Sequence, residues 1–214
     1  MNSQTGSVGT EETLTTHAGI ARRPPAQPEH LWAALNDALR ILVRKAAGKR
    51  SQPTAAVLDS QSVKSAGHGG EVGYDAGKRI KGRKRHLLVD TLGLVLGVVV
   101  TPASTTERDG GKAVLSLVLG WFTCLRLLWV DGGYAGTKFA NWVKTLRPKL
   151  EVEVVKRSDD VHGFKVLPYR WVVERTFGWL LHHRRLVRDY ETTITSAEAM
   201  VYIAMIRIQL RRLA

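Results

Sequence analysis

The sequence predicts an α/β fold, a five-stranded mixed sheet with helices on both faces. Three observations predict it. Early apolar runs are joined by hairpin signals, which points to antiparallel pairing. Later apolar runs alternate with helical ones, which points to parallel strands joined by helical crossovers. Hydrophobic residues make up 44% of the 214, enough for one cored domain.

The elements follow in order. Residues 1–30 are rich in Thr, Gly, Ser, Gln and Pro and predict a disordered leader. Residues 31–52 predict a bracing helix and linker. Leu31, Leu35, Leu39, Leu42 and Val43 keep helical spacing as its apolar stripe, and Gly48 stops it. The main domain is expected over 53–214. A strand over 55–63 carries Asp59, and the Gly-rich stretch 67–78 reads as a loop. Strands over 84–90 and 94–101 flank Thr91-Leu92-Gly93 as a hairpin. A helix follows over 112–122, after Asp109-Gly110-Gly111. A strand over 125–130 ends at Asp131, and Gly132-Gly133 turn the chain. A helix over 137–146 is stopped by Pro148, and a fifth strand spans 150–156. A polar loop over 157–168 leads to a long helix over 170–186. The last helix spans 196–213, with Ser196 as its cap and Met200, Ile203, Ile206, Ile208 and Leu210 as apolar positions.

Charge narrows the function. Lys and Arg number 32 against 19 acids, a net charge of +13, with a sequence pI near 10.2. A polyanionic partner fits such a balance, either nucleic acid or an acidic membrane surface. The one cysteine, Cys124, lies in an apolar run and reads as a buried free thiol. A disulfide scaffold and a thiolate zinc site are excluded. No charged-then-apolar leader opens the chain, and the longest apolar stretch, 113–130, is interrupted by Ser116, Thr123 and Arg126. The expected location is the cytoplasm, with no membrane.

Three acids stand in unusual contexts: Asp59 in VLDSQSVKS, Asp131 in LLWVDGGYAG and Glu174 in RWVVERTFGWLLHHRR. An acid inside an apolar run is costly unless it is paired or binds a metal. Three carboxylates gathered from two strands and a helix would suit Mg²⁺, which takes oxygen ligands and keeps several waters. Two such ions roughly 3.5–4 Å apart hold both the attacking and the leaving oxygen of a phosphodiester. Each acid also has a plain alternative. Asp59 could face outward from a strand, Asp131 could be an Asp-Gly turn former, and Glu174 could be a solvent-facing helical charge.

Arg170 lies four residues before Glu174, on the same helix face, where its fork could grip a phosphate. The segment Lys78, Arg79, Lys81, Arg83, Lys84 and Arg85 precedes a strand. Alternation through Lys81, Arg83 and Arg85 would place three cations on one face for phosphate contacts. The alternative is a solvated charge run. His182, His183, Arg184, Arg185 and Arg188 could extend the track. Adjacent histidines diverge on a helix and make a poor metal pair, and no phosphate-binding loop motif is present. The pairs Trp121/Trp129 and Trp171/Trp179 read as core before base-stacking platforms; the candidate exception is the Trp171 pair, which flanks Glu174.

The strings AAVLDSQSVKSA, GYDAGKRIKGRKRHLLVDTLG, WVDGGYAG and YRWVVERTFGWLLHHRRLVRDYE closely resemble the insertion-sequence-five family of bacterial DDE transposases. The resemblance covers about residue 31 to the C-terminus. It implies an RNase-H-like catalytic domain over 53–214 and two Mg²⁺ ions, with Mn²⁺ as substitute. The DDE residues carry over onto Asp59, Asp131 and Glu174, as catalytic residues and as metal ligands. The implied reaction is cleavage at an element end and strand transfer of the freed 3′-hydroxyl into target DNA, by a homo-oligomer on DNA in the bacterial nucleoid. Lys78, Arg79, Lys81, Arg83, Lys84, Arg85, Arg170, Arg184 and Arg185 are the expected DNA contacts.

In the family's helical signature, Arg170 matches the Arg. Its Tyr position is Leu167, with Tyr169 nearby, and its later basic position is Leu181, with His182 and Arg184 nearby. Similar full-length enzymes carry a helical end-binding region before the catalytic domain, which residues 1–30 do not resemble. The expectation is a downstream frame joined to an upstream reading-frame partner, or a truncated remnant. The alternative functions are a catalytically silent DNA-binding remnant or regulator, and a host nuclease of the same fold.

Overall fold

The computed structural model describes residues 28–66, 70–155 and 170–214. Its elements run α1 (Pro28–Ala46), β1 (Ala55–Lys64), β2 (Gly73–Asp75), β3 (Ile80–Asp90), β4 (Val95–Pro102) and α2 (Glu107–Val118). There follow β5 (Leu127–Val130), a 3₁₀ turn (Gly132–Tyr134), α3 (Thr137–Leu146), β6 (Glu151–Val154), α4 (Arg170–Leu181), α5 (Arg184–Val187) and α6 (Ile194–Leu213).

The strands form one mixed sheet. β3 pairs antiparallel with β1 on one edge and with β4 on the other, and β1, β5 and β6 pair in parallel. The spatial order β4-β3-β1-β5-β6 is an RNase-H-like sheet. The sheet has six strands where five were expected. The sixth is β2, inside the stretch read as loop. It takes over the outer edge of β3 where β4 ends, with Gly73 opposite Gly82 and Pro102 opposite Arg83. A three-residue strand containing two turn-prone residues carries no alternation by which a sequence could reveal it.

Alternation along the strands divides the core in two. Val57, Leu87, Val89, Val98 and Trp129 point to one face, against α1, α4 and α6. Ala56, Leu58, Leu88, Leu96 and Leu128 point to the other, against α2 and α3. The β3–β4 hairpin turns at Gly93, whose φ of +79° needs a residue without Cβ. Asp90 closes that turn, accepting the N–H of Leu92 and of Leu94, each at 2.9 Å. Arg44 of α1 reaches the same carboxylate at 2.5 Å.

Several boundaries differ from the sequence reading. α2 starts five residues earlier than expected, because Thr106 caps it by accepting the N–H of Asp109 at 3.2 Å. Gly110 and Gly111 lie inside that helix for lack of room. A Cβ would stand 2.1 Å from the His86 ring at the first and 2.6 Å from Tyr134 at the second. The long helix breaks after Leu181 into α4 and α5. The last helix is capped by Thr193, whose Oγ1 accepts the N–H of Ser196 at 3.1 Å, and Ser196 lies within it.

α1 is rotated from its expected stripe. Leu31, Leu35 and Leu42 are exposed, and Asn36, Arg40, Val43 and Arg44 face inward. Hydrogen bonds explain the preference. Asn36 donates to Val95 O at 2.9 Å, and its side-chain oxygen accepts from Gln209 at 3.2 Å. Cys124, expected as a buried thiol, is exposed, because it lies in the connection between α2 and β5. The expected leader and the 157–168 loop lie outside the described residues, save that α1 begins at Pro28. Among the described residues no helix is long and apolar enough to cross a membrane.

Candidate active site

Register brings the first two acids together. β1 and β5 pair in parallel from Ala55↔Leu127 to Leu58↔Val130. Asp59 and Asp131 are the next residues on these neighbouring strands, which lie about 4.8 Å apart. Alternation turns both toward the face of Val57 and Trp129, the face covered by α4. Asp59 is 9% exposed, and its Oδ1 accepts the N–H of Ser60 at 2.7 Å. Asp131 ends β5 in extended backbone, caps the 3₁₀ turn and accepts the N–H of Gly133 at 3.0 Å. β5 stops here while β1 runs on to Lys64, which leaves a notch in the sheet beside the two aspartates.

Behind the notch sits Tyr134, 1% exposed and packed on Phe139 with ring centroids 5.3 Å apart. Its hydroxyl has no hydrogen bond of good geometry, though Ser60 lies close. Burial raises its pKa well above 10, and the charges of Asp59, Glu107 and Asp131 raise it further. One buried phenol thus lies within electrostatic reach of three carboxylates.

Glu174 is exposed on α4. Val172, Val173, Phe177 and Leu180 anchor that helix in the core with Val57 and Trp129. One flank of α4 is a stack: the Arg175 guanidinium lies 4.3 Å over Trp171 and 4.6 Å over Trp179, and Arg212 lies 4.4 Å over Trp179. The opposite flank carries Glu174, Gly178 and Leu181, one turn apart in succession. At the Leu181 end this flank meets Gln61 and Ser62 of β1, just beyond Asp59. The structure places Glu174 on the helix that covers the notch. Among the described residues, no three of His, Cys, Asp and Glu close into a group that could hold a metal ion.

The family model of the transposase DDE domain matches residues 50–208. The chain belongs to the transposase DDE domain family. A Burkholderia cepacia protein named as a transposase for insertion sequence element IS402 is 31% identical over 118 residues, covering 51% of this chain and 54% of that one. The chain thus spans about half the length of the curated relative it matches. Among solved structures, the catalytic domain of Mos1 mariner transposase aligns with 90% of this chain and 95% of its own, at 11% identity and a TM-score of 0.38. A simian T-cell lymphotropic virus intasome chain aligns with 72% of this chain and 48% of its own, at 16% identity and a TM-score of 0.44. Asp59, Asp131 and Glu174 all lie inside the segment matched by the DDE domain.

The basic segment of this DDE domain does not form the expected cationic face. Arg83 and Arg85 are buried, at 0% and 1% exposure, and Lys84 is 6% exposed. Arg83 pairs with Asp189 at 3.2 Å and donates to the carbonyls of Glu71, Glu191, Thr192 and Thr193. Arg85 donates to Leu186 O at 2.7 Å, and burial lowers its pKa to about 10. Lys84 pairs with Asp75 at 3.2 Å. Strand alternation was read correctly but the face was not. Arg83 and Arg85 clamp the 186–193 segment to the sheet, while Lys84 is held by Asp75 and the Thr105 carbonyl. Lys78, Arg79 and Lys81 are exposed, as are Arg184 and Arg185, the last paired with Glu191 at 2.8 Å. Arg170 opens α4, and its side chain lies outside the described residues.

Glu107, Ser60 and Tyr134 escaped the sequence reading. Glu107 accepts from Ser60 Oγ at 3.3 Å and lies 3.7 Å from Lys78 Nζ. A Cβ on Gly133 would stand 1.6 Å from its Oε2. The carboxylate therefore lies against both backbone segments that carry the aspartates. Its only sequence signal was an acid in a helix's first turn, which is commonplace.

Proposed function

We propose that this chain is the catalytic domain of an insertion-sequence transposase, acting on DNA at element ends and at a target. The observation that carries the reading is the β1–β5 register, which sets Asp59 beside Asp131 on the face covered by the Glu174 helix. The donor set is all carboxylate oxygen, which fits a hard divalent cation such as Mg²⁺, with Mn²⁺ as substitute. Asp59, Asp131 and Glu174 would hold it. When bound, such a cation neutralises charge at the phosphodiester and lowers the pKa of water.

The rest is positioning by the chain. The N–H groups of Ser60 and Gly133 fix the two aspartates against the ends of their strands. Glu107 braces both segments, so the carboxylates keep their spacing as a strand enters. The first step is hydrolysis: water adds to phosphorus, the P–O3′ bond breaks, and the strand ends in a 3′-hydroxyl. In the second step that hydroxyl attacks a phosphodiester of target DNA, exchanging one P–O bond for another without net hydrolysis. Arg170 is assigned to the phosphate being cut, and Arg184 and Arg185 to flanking phosphates. A homo-oligomer on DNA and an upstream reading-frame partner that supplies end recognition complete the reading.

A second reading is a DNA-binding regulator without catalysis, supported by the net charge of +13, which favours DNA whether or not the strand is cut. The experiment is nicking of element-end DNA by the purified chain in Mn²⁺. Cleavage by wild type that falls at least about a hundredfold in Asp59→Asn, with DNA binding retained, supports the enzyme. Undiminished cutting by that variant excludes the site, and an inert wild type that still binds DNA favours the regulator.

A further inference from the structure

A groove leaves the notch along the second half of β1. Its inner part is lined by Gln61, Ser62, Lys64, Leu181, Arg188 and Tyr190, with a volume of about 510 Å³. The outer part, about 470 Å³, shares Lys64 and Arg188 and adds Val72, Tyr74, Arg79 and Lys81. No acidic side chain is among the described residues lining either part. Four cations line it: Lys64, Arg79, Lys81 and Arg188. Two tyrosines stand at its rim, Tyr74 at 56% and Tyr190 at 53% exposure. Gln61, two residues beyond Asp59, shares its sheet face, so the groove opens from the proposed site.

The groove has the parts of a single-strand binder. Such sites combine cations that track the backbone with aromatic faces on which bases stack. Each part has the volume of a pocket for a drug-sized molecule, on the order of one nucleotide, and is too small for a duplex. A base is reachable here only when it is unpaired. We propose that the groove holds a short unpaired stretch of DNA strand next to the cleavage point, its phosphates on Lys64, Arg79, Lys81 and Arg188 and its bases on Tyr74 and Tyr190. The inference rests on reading the chain as a DNA-acting enzyme and adds the form of DNA it holds. Gly82 belongs to the same device. It lines the outer part, and a Cβ there would stand 2.0 Å from Val63 O, so no side chain can fill the floor.

The test measures binding of the whole chain, without divalent cation, to three fluorescent DNAs: a blunt duplex, the same duplex with a short unpaired extension, and the extension alone. The extended duplex is expected to bind about tenfold more tightly than the blunt one. The pair Tyr74→Ala with Tyr190→Ala should erase that preference and leave blunt-duplex binding unchanged, and Tyr74→Phe with Tyr190→Phe should retain it. The pair Lys64→Ala with Arg188→Ala should weaken every DNA and flatten the salt dependence by about two phosphates. Equal wild-type affinity for blunt and extended duplex would overturn the groove while leaving the cleavage reading intact, as would preference surviving the alanine pair. Competition by poly-glutamate as effective as that by the strand would reduce it to a plain anion site. Wild type that binds no DNA at all would remove the functional reading itself.

Discussion

Two halves of one basic segment behave as different materials. Lys78, Arg79 and Lys81, in the turn before and at the start of β3, are exposed and line the site and its groove. Arg83, Lys84 and Arg85, two to four residues further on, are buried and consumed by carbonyls and by Asp189 and Asp75. Composition makes no distinction between them. What divides them is what packs on each: the 186–193 segment lies over Arg83 and Arg85, and Asp75 with the Thr105 carbonyl holds Lys84. An exposed cation and a cation that replaces a core contact are the same residue type in different surroundings.

The largest expected effect tests the buried half. Arg83→Ala leaves Asp189 buried without its counter-charge and should destabilise the fold by about 3–5 kcal/mol, read by urea unfolding. Next comes pH. His86 is fully buried, and burial first, then the charges of Lys84 and Lys78, hold its pKa at about 4. The unfolded chain has the ordinary 6.5, so the fold favours the neutral ring. The stability it contributes is complete above pH 6.5 and is lost as pH falls toward 4, on the order of 3 kcal/mol. Unfolding at pH 7 and pH 5 should show about 2 kcal/mol of this loss in wild type, and His86→Asn should show a smaller slope. The smallest effect on stability belongs to the exposed half. The pair Arg79→Ala with Lys81→Ala should shift unfolding by no more than about 0.5 kcal/mol and lower the salt slope of DNA binding by about two.

The sequence carried the sheet because strand runs such as 84–90 and 125–130 are apolar and bounded by turn residues, and because Gly93 and Pro148 punctuate them. It could not carry β2, which has no period, or the rotation of α1, where buried Asn36, Arg40 and Arg44 outrank exposed leucines through specific hydrogen bonds. The aspartates were legible as acids in apolar runs. Glu107 was not, because only the fold folds α2's first turn against Ser60 and Gly133. The burial of Arg83 and Arg85 was illegible for the same reason: their partners lie about a hundred residues away.

The central claim is that residues 59, 131 and 174 share one divalent cation site. Replacing the cation with Fe²⁺ and generating hydroxyl radicals cuts a polypeptide only next to the bound iron. The account predicts backbone breaks at three places, around Asp59, Asp131 and Glu174, all suppressed by excess Mg²⁺ and all lost together in Asp131→Asn. Breaks confined to segments elsewhere, or cutting near Asp59 and Asp131 that never touches α4, would contradict it.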